Sequence, residues 1–275
     1  MKTAQSISAD GDCSGLVDVG GRRLYIECCG NGQPTVVMEA GAGATGDMWL
    51  PVRDTVAAFT HVCTYDRANL GRSDPAPKPR TANDMAADLA ALLANASVPG
   101  PYVLVGASFG GLVVRLYAAH HLQDVAGMVL VDSTHPDQIA RSTGILPPPD
   151  EETDAVRQLR EWVTTIDPAT HPEGIAFEAS LREVKEASVV RGLGSRPLVV
   201  LSRGTSVRCD FPALPSDLAA KLDAAWLDVQ RDLAHLSTDG VHQIATKSGH
   251  NIPDDEPGLV VEAIRRIVNT VRAQL

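Results

Sequence analysis

Short apolar runs alternate along this chain with longer segments whose apolar residues recur at helical spacing. Eight strand-like runs lie near residues 16–19, 23–29, 35–39, 61–65, 102–106, 127–132, 197–202 and 241–246. The run Tyr102-Val103-Leu104-Val105 is apolar throughout, which is typical of a strand buried on both faces. The alternation of strand and helix predicts an α/β fold: an eight-stranded, mostly parallel sheet with helices on both faces.

One connection is too long for a simple crossover between parallel strands. It follows the sixth strand-like run and contains a proline-rich stretch, 146–149, and helix-like stretches around 151–166 and 173–190. We therefore predict a core formed by 1–135 and 196–275 and a helical lid over 136–195. Six apolar lid residues are candidates either for the walls of a substrate pocket or for packing of the lid onto the core: Leu146, Trp162, Ile166, Ile175, Phe177 and Leu181.

A serine stands where the buried strand 102–106 turns into a helix-like run. Ser108 is flanked by Gly106 and Gly110, and apolar residues continue at helical spacing over 112–117. A direct strand-to-helix turn strains the backbone at its corner and brings the flanking residues so close that only small ones fit. This G-x-S-x-G pattern is typical of a nucleophile elbow, which presents the serine hydroxyl at the carboxyl edge of the sheet. The alternative is a serine in an ordinary strand-to-helix turn.

A serine hydroxyl is a weak nucleophile at neutral pH and requires a histidine base. Among the eight histidines, His250 is the best placed, because it follows the strand-like run 241–246 and precedes a helix that opens at Pro257. A loop between the last strand and the last helix lies at the same sheet edge as Ser108. We predict His250 as the general base and regard His135 as a candidate pocket residue.

Three blocks of the sequence together resemble the α/β-hydrolase superfamily, in particular its branch of esterase and lipase-like serine hydrolases. They are G-A-S-F-G-G at 106–111, Y-D-R-A-N-L-G-R-S at 65–73 and S-G-H at 248–250. In the second block, Asn69 stands where the first glycine of the family pattern Y-D-x-x-G-x-G-x-S usually occurs. The resemblance runs from about Leu16 to the C-terminus. It implies a Ser, acid, His triad in that order and an oxyanion hole made of backbone amides.

The resemblance leaves two candidates for the triad acid. The superfamily most often places this carboxylate just after the seventh strand, where the present chain has no acid before Asp210. Asp132 ends the sixth strand-like run, a position that some lipases and dehalogenases of this fold use. We predict Asp132 as the acid, with Asp210 as the alternative.

The loop after the third strand is expected to supply part of the oxyanion hole. Family members often carry His-Gly there, whereas this chain has A-G-A-G at 40–43. Because the donors are backbone N–H groups, the loop is compatible with the role, and the resemblance assigns them to Ala42 and Phe109. Glu39, at the end of that strand, is expected to be a buried partner of Arg67, the alternative being a second acid in the mechanism.

These residues predict a serine hydrolase that cleaves a small-molecule carboxylic ester through an acyl-enzyme intermediate. An acyltransferase and a hydrolase of C–C bonds remain alternatives because they use the same triad. A ligand-binding receptor with little turnover is a further hypothesis from another class. The serine at the elbow argues against epoxide hydrolase and haloalkane dehalogenase activity, which in this superfamily depends on an aspartate at that corner.

Net charge and hydropathy limit the kinds of partner and the cellular location that we expect for this protein. The 275 residues carry a net charge of −10 without clusters of Lys and Arg, which argues against nucleic-acid and anionic-membrane partners. No apolar stretch is long enough to span a bilayer, and the polar start, 1–15, lacks the form of a signal peptide. We therefore predict no stable membrane insertion and a cytoplasmic location. The pattern makes no prediction of the oligomeric state.

The five cysteines form no C-x-x-C pair, so we expect no metal site. Cys28, Cys29 and Cys63 fall in strand-like runs and are expected to be buried thiols, while Cys13 and Cys209 could pair in an oxidising compartment. Neither a P-loop nor Rossmann glycine spacing occurs, so we expect no cofactor.

Overall fold

The strands form one sheet in a computed structural model, which describes residues 6–7, 13–164, 166–190 and 192–274. Their order across the sheet is β1-β2-β3-β5-β4-β6-β7-β8-β9. The strands are β1 (Ser6–Ile7), β2 (Cys13–Asp18), β3 (Arg23–Cys29), β4 (Thr35–Glu39), β5 (Val62–Tyr65), β6 (Tyr102–Ala107), β7 (Val125–Val131), β8 (Leu198–Arg203) and β9 (Gly240–Ala245). The pairs β1–β2, β2–β3 and β3–β5 are antiparallel, and the remaining pairs are parallel. The predicted eight-stranded sheet is confirmed, and β1 adds a short edge strand of two residues.

Helices cover both faces of this sheet, as predicted. They are α1 (Leu50–Ala57), α2 (Ala82–Asn95), α3 (Gly110–His120), α4 (Gln138–Thr143), α5 (Asp154–Thr164), α6 (Phe177–Val190), α7 (Ser216–Ala234), α8 (Ile252–Asp255) and α9 (Pro257–Arg272). Short 3₁₀ helices span Gly46–Trp49, Leu122–Asp124 and Val207–Cys209. Within the described ranges, no helix is both long enough and apolar enough to cross a membrane. Most of the polar segment 1–15, in which we expect no signal peptide, lies outside the described residues.

The central strands are apolar throughout because both of their faces are covered. In β6, Leu104 packs with α2 and α3 on one face, whereas Val103 and Val105 pack with α1 and α9 on the other. Side chains of consecutive strand residues point to opposite faces, so each strand contributes to two apolar layers. This rigid centre fixes the positions at which β6, β7 and β8 end.

The long connection between β7 and β8 forms α4, α5 and α6 and packs on the core at two places. Near α5, Leu146 and Leu159 join an apolar cluster with Val207 and Leu218, which follow β8 in the chain. At the other side, backbone hydrogen bonds of 2.8 Å link Arg80 to the segment just before α6. The division into a core of 1–135 and 196–275 and a lid of 136–195 stays a prediction.

Cys28 and Cys63 form a disulfide between β3 and β5, so the expectation that both are buried thiols is wrong. The two residues stand opposite each other in the antiparallel β3–β5 pair, with Cα atoms 4.0 Å apart. Strand β4 separates them in sequence but lies on the far side of β5, which is why linear spacing concealed the pairing. His61 lies within 4.8 Å of both sulfurs, but sulfurs bonded to each other lack the thiolate form that binds a metal.

Candidate active site

Three side chains meet at the carboxyl edge of the sheet. Ser108 follows β6, Asp132 follows β7, and His250 lies between β9 and α8. His250 Nε2 is 3.0 Å from Ser108 Oγ, and His250 Nδ1 is 2.6 Å from Asp132 Oδ2. The Asp132 carboxylate accepts a hydrogen bond from Nδ1, so the neutral His250 ring carries its proton on that nitrogen. Nε2 is then free to accept the proton of the serine hydroxyl. The structure thus brings the predicted nucleophile, base and acid into one hydrogen-bonded chain.

The turn that carries Ser108 is as tight as the sequence pattern requires. Ser108 has a φ of 49°, in the left-handed region that non-glycine residues seldom occupy. A Cβ at Gly106 would lie 2.8 Å from the carbonyl oxygen of Gly110, and a Cβ at Gly110 would lie 2.5 Å from that of Ala40. Glycine is therefore required on both sides of the serine, and the start of α3 packs directly against the end of β4.

Asp132 is buried, and both of its carboxylate oxygens have donors. Oδ2 faces His250, while Oδ1 accepts the Arg203 amide at 2.9 Å and the Trp226 indole N–H at 2.8 Å. Asp210, the alternative acid, is exposed at the end of a 3₁₀ helix, and the structure does not bring it to His250. Trp226 of α7 was not among the predicted site residues, and its indole N–H holds the Asp132 carboxylate in place.

The loop after β4 runs against the nucleophile. A Cβ at Gly41 would lie 3.4 Å from Ser108 Cβ. In the described part of the chain, the amides of Ala42 and Phe109 donate to no other protein group, so both remain available to a ligand oxygen. This is the state expected of oxyanion-hole donors. The neighbouring amide of Gly43 differs, because it donates to Glu173 Oε1 at 2.6 Å.

A buried cluster of charges holds this loop. The Arg67 guanidinium donates to the carbonyl oxygens of Ala40 and Gly41 at 2.7 and 2.6 Å and pairs with Glu39, as expected, and with Glu173 of the inserted segment. Burial opposes the charge of Arg67, but the two carboxylates outweigh burial and raise the pKa of its guanidinium. Burial also raises the pKa of Glu39, although Arg67 acts in the opposite direction. Sequence reasoning missed Glu173, which no local pattern distinguishes.

A cavity of about 420 Å³ opens beside Ser108 and His250, between the core and the inserted segment. Four of the six apolar candidates line it, namely Leu146, Trp162, Ile166 and Phe177. The other two, Ile175 and Leu181, are buried in the apolar cluster that includes α2 and α3. His135 is not among the described lining residues. His171 and Arg203 line the cavity and were missed. The signal for Arg203 was its position, because a polar residue at the carboxyl end of a parallel strand points to the ligand side of such a sheet.

Comparisons with known proteins agree with this architecture. The family model described as the alpha/beta hydrolase fold matches residues 34–167. The protein YqjL of Bacillus subtilis is 32% identical over 235 residues, which cover 86% of this chain and 83% of YqjL. The chain belongs to the α/β-hydrolase fold family, as the sequence blocks indicated.

Two further proteins, one similar in sequence and one in fold, span nearly the same length. An AB hydrolase superfamily protein of Gibberella zeae is 28% identical over 282 residues, covering 87% of this chain and 88% of that protein. Among solved structures, a thermophilic esterase from Thermogutta terrifontis superposes with a TM-score of 0.65 at 20% identity, covering 94% of this chain and 98% of the esterase. At that identity the likeness concerns the fold alone.

Proposed function

We propose that this protein is a serine hydrolase that cleaves carboxylic esters of small molecules through an acyl-enzyme intermediate. The observation that carries the proposal is the continuous hydrogen-bonded chain from Ser108 Oγ through His250 to Asp132, beside two unused backbone amides. An alkoxide-forming nucleophile, a base with a fixed tautomer and donors for a developing oxyanion are the groups that acyl transfer needs. The esterase likeness in fold is compatible with this chemistry.

The first half-reaction forms the acyl-enzyme. Ser108 Oγ attacks the ester carbonyl carbon while His250 Nε2 takes the hydroxyl proton. The negative charge moves to the carbonyl oxygen, which accepts hydrogen bonds from the amides of Ala42 and Phe109. The tetrahedral intermediate then collapses: the bond to the alcohol oxygen breaks, and His250 returns its proton to the departing alcohol. Asp132 stays ionised and stabilises the imidazolium in between.

The second half-reaction releases the acid. A water molecule gives a proton to His250 and attacks the acyl carbon, the same amides stabilise the second oxyanion, and the bond to Ser108 Oγ breaks as the proton returns to it. The free carboxylic acid leaves, and the enzyme is restored. An alcohol in place of water would give an acyltransferase, so product analysis with an added alcohol separates these two activities.

The test combines labelling with turnover. A fluorophosphonate probe is expected to label Ser108, and the protein is expected to hydrolyse some members of a panel of short and long nitrophenyl esters. Ser108→Ala should lower that rate at least about a thousandfold, equivalent to about 4 kcal/mol of transition-state stabilisation, with unchanged thermal unfolding. Ser206→Ala serves as the serine control, because the Ser206 side chain caps a short 3₁₀ helix and does not line the cavity.

Each alternative has its own outcome. Transfer to an added alcohol in preference to water supports an acyltransferase, and turnover confined to diketones supports a C–C bond hydrolase. Ligand binding without turnover of any ester supports the receptor hypothesis. Labelling at another residue, or a Ser108→Ala variant with substantial activity, contradicts the proposed mechanism.

We propose a cytoplasmic location on the evidence of the sequence, against which the Cys28–Cys63 disulfide stands as an opposing observation. Disulfides persist mainly in oxidising compartments. Alkylation of free thiols in intact cells, followed by mass spectrometry, decides between the cytoplasm and an oxidising compartment. A reduced pair in the native host supports the cytoplasm, and a fully oxidised pair contradicts it.

A further inference from the structure

The guanidinium of Arg203 lies in the cavity without a carboxylate partner. Arg203 ends β8, is only 9% exposed and lines the cavity beside the triad. In the described part of the chain, no Asp or Glu pairs with its side chain, and no protein acceptor is hydrogen-bonded to its guanidinium. The buried Arg67 and Arg80 differ, because they pair with Glu39 and Asp88 respectively.

The position of this cation is fixed by the residues that hold the triad acid. The Arg203 guanidinium stacks on the Trp226 ring, 4.9 Å from its centroid, and Trp226 donates its indole N–H to Asp132. The backbone amide of Arg203 donates to the same carboxylate oxygen. Stacking occupies one face of the planar guanidinium and leaves the N–H donors at its edge available.

No acidic side chain of the described cavity lining balances the positive charge of Arg203. The described lining residues include no Asp or Glu, and most are apolar or neutral, with His171 and His250 as the other titratable groups. A buried charge without a partner is unfavourable for stability, and such groups are typical of sites where a ligand supplies the opposite charge. A guanidinium accommodates a carboxylate through two parallel N–H···O bonds.

We propose that Arg203 determines substrate specificity by binding a carboxylate, so that the preferred substrate is an ester that carries a free carboxylate away from the bond to be cleaved. The inference rests on the proposed ester hydrolysis and names its substrate class. A carboxylate fits better than a phosphate monoester, because a single guanidinium balances one negative charge and would leave a dianion uncompensated in this cavity. The carboxylate belongs either to the acyl part or to the alcohol part of the ester.

Matched esters that differ only in charge test the proposal. For the acyl part, the nitrophenyl monoester of glutaric acid is compared with the nitrophenyl ester of its monoamide. For the alcohol part, the butyrate esters of 4-hydroxybenzoic acid and 4-hydroxybenzamide are compared. The ratio of kcat/KM, charged over neutral, is expected to exceed about tenfold in at least one pair, because a buried charge-assisted hydrogen bond contributes on that scale.

Three variants assign the preference to the side chain. Arg203→Gln should bring the ratio close to one, and Arg203→Lys should keep part of it, since the ammonium retains the charge but not the two-pronged geometry. Arg265→Gln is the matched control, because Arg265 also stacks on an aromatic ring, Phe59, at 3.9 Å but does not line the cavity. It should keep the ratio of the unsubstituted protein.

Two kinetic results overturn the proposal. One is a ratio near one in both pairs for the unsubstituted protein, and the other is a ratio that Arg203→Gln leaves unchanged. An equal loss on charged and neutral esters would mean that Arg203 only supports Trp226. If no ester is turned over, the proposed function fails but this inference is still tested: calorimetry must then show tighter binding of the charged ester than of the neutral one, lost in Arg203→Gln, and equal binding overturns it.

Discussion

Glu173 and Gly43, which are 130 residues apart in the chain, are joined by a hydrogen bond of 2.6 Å from the Gly43 amide to Glu173 Oε1. Glu173 belongs to the segment inserted after β7, and Gly43 belongs to the loop that we assign to the oxyanion hole. The same carboxylate pairs with Arg67, which holds the preceding carbonyl groups of that loop. The inserted segment therefore holds the loop whose amides we propose as oxyanion donors.

Glu173→Gln is expected to lower both stability and turnover. The amide oxygen still accepts from Gly43, but the buried Arg67 loses one of its two carboxylates, which we expect to reduce the free energy of unfolding by about 3 kcal/mol. With the loop less firmly held, kcat should fall about tenfold with little change in KM, since an oxyanion donor acts mainly in the transition state. Denaturant unfolding and steady-state kinetics with one ester measure the two effects.

The control for this variant is Glu178→Gln, which removes the same charge from an exposed residue at the start of α6. It should change neither quantity. A folded Glu173→Gln variant with unaltered kcat would show that the contact between Glu173 and the loop has no part in turnover.

The parts of the molecule that local patterns determine were predicted from the sequence. The strands at the centre of the sheet read as apolar runs because they are buried on both faces, and Ser108 was identifiable because a strand, a glycine-flanked turn and a helix are adjacent in sequence. Asn69 illustrates how closely such patterns follow backbone geometry. It replaces a family glycine at a φ of 72°, and asparagine is among the residues that tolerate the left-handed region.

Contacts between distant segments could not be predicted in the same way. Glu173 and Arg67 are 106 residues apart, Trp226 and Asp132 are 94 apart, and the cysteines of the disulfide are 35 apart. Each pair forms only because the sheet order brings together strands or loops that are not consecutive, and no spacing rule along one chain encodes that order. The charge at Arg203 was visible, but its lack of a partner is a property of the folded cavity.

The triad acid is tested by comparing two substitutions in one assay. Asp132→Asn should lower kcat by orders of magnitude, up to about 10⁴, with little change in KM, because the amide cannot fix the imidazole tautomer or stabilise the imidazolium. Asp210→Asn should have no comparable effect, since Asp210 is exposed and outside the hydrogen-bonded chain. The opposite result would move the acid to the loop after β8.

Trp226→Phe gives a graded version of the same test. Phenylalanine keeps the apolar ring but removes the N–H that donates to Asp132 Oδ1. We expect an intermediate decrease of about tenfold in kcat, on the scale of one hydrogen bond to a charged group. Unchanged kcat in this variant would mean that the Arg203 amide alone suffices to orient the carboxylate.

Trp162 is expected to set the preference for acyl-chain length. It lines the cavity from α5 although its side chain is 60% exposed, and its ring lies 5.9 Å from that of Phe211. Trp162→Ala removes part of the apolar wall of the cavity and none of the reacting groups, so kcat/KM should fall about three- to tenfold for long acyl esters and stay within about twofold for acetate. Leu50→Ala, at another exposed apolar residue outside the cavity, should leave the preference unaltered. A uniform loss across chain lengths would contradict this role.

His135 should make the protein less stable as the pH falls. Burial, followed by the charge of Arg115, lowers the pKa of His135 to about 4, and the smaller effects of Arg141, Asp137 and Asp232 partly cancel. The unfolded chain, at about 6.5, therefore binds the proton before the folded chain does, so stability contributed by the neutral ring is present above pH 6.5 and is lost as the pH falls towards 4. The full difference amounts to about 3 kcal/mol.

His135→Gln removes this titration. The glutamine side chain can still accept the hydrogen bond that the Asp137 amide donates to the His135 ring. Urea unfolding at several values of pH should give a free energy of unfolding that falls less steeply between pH 6.5 and 4 in the variant, by up to about 3 kcal/mol over that range. Carboxylates contribute to acid unfolding in both proteins, so the difference between the two curves is the quantity to measure. The exposed His235, replaced in the same way, should leave the slope of the unsubstituted protein intact. Parallel curves for His135→Gln and the unsubstituted protein would mean that the ring takes up its proton equally readily in the folded and unfolded chains.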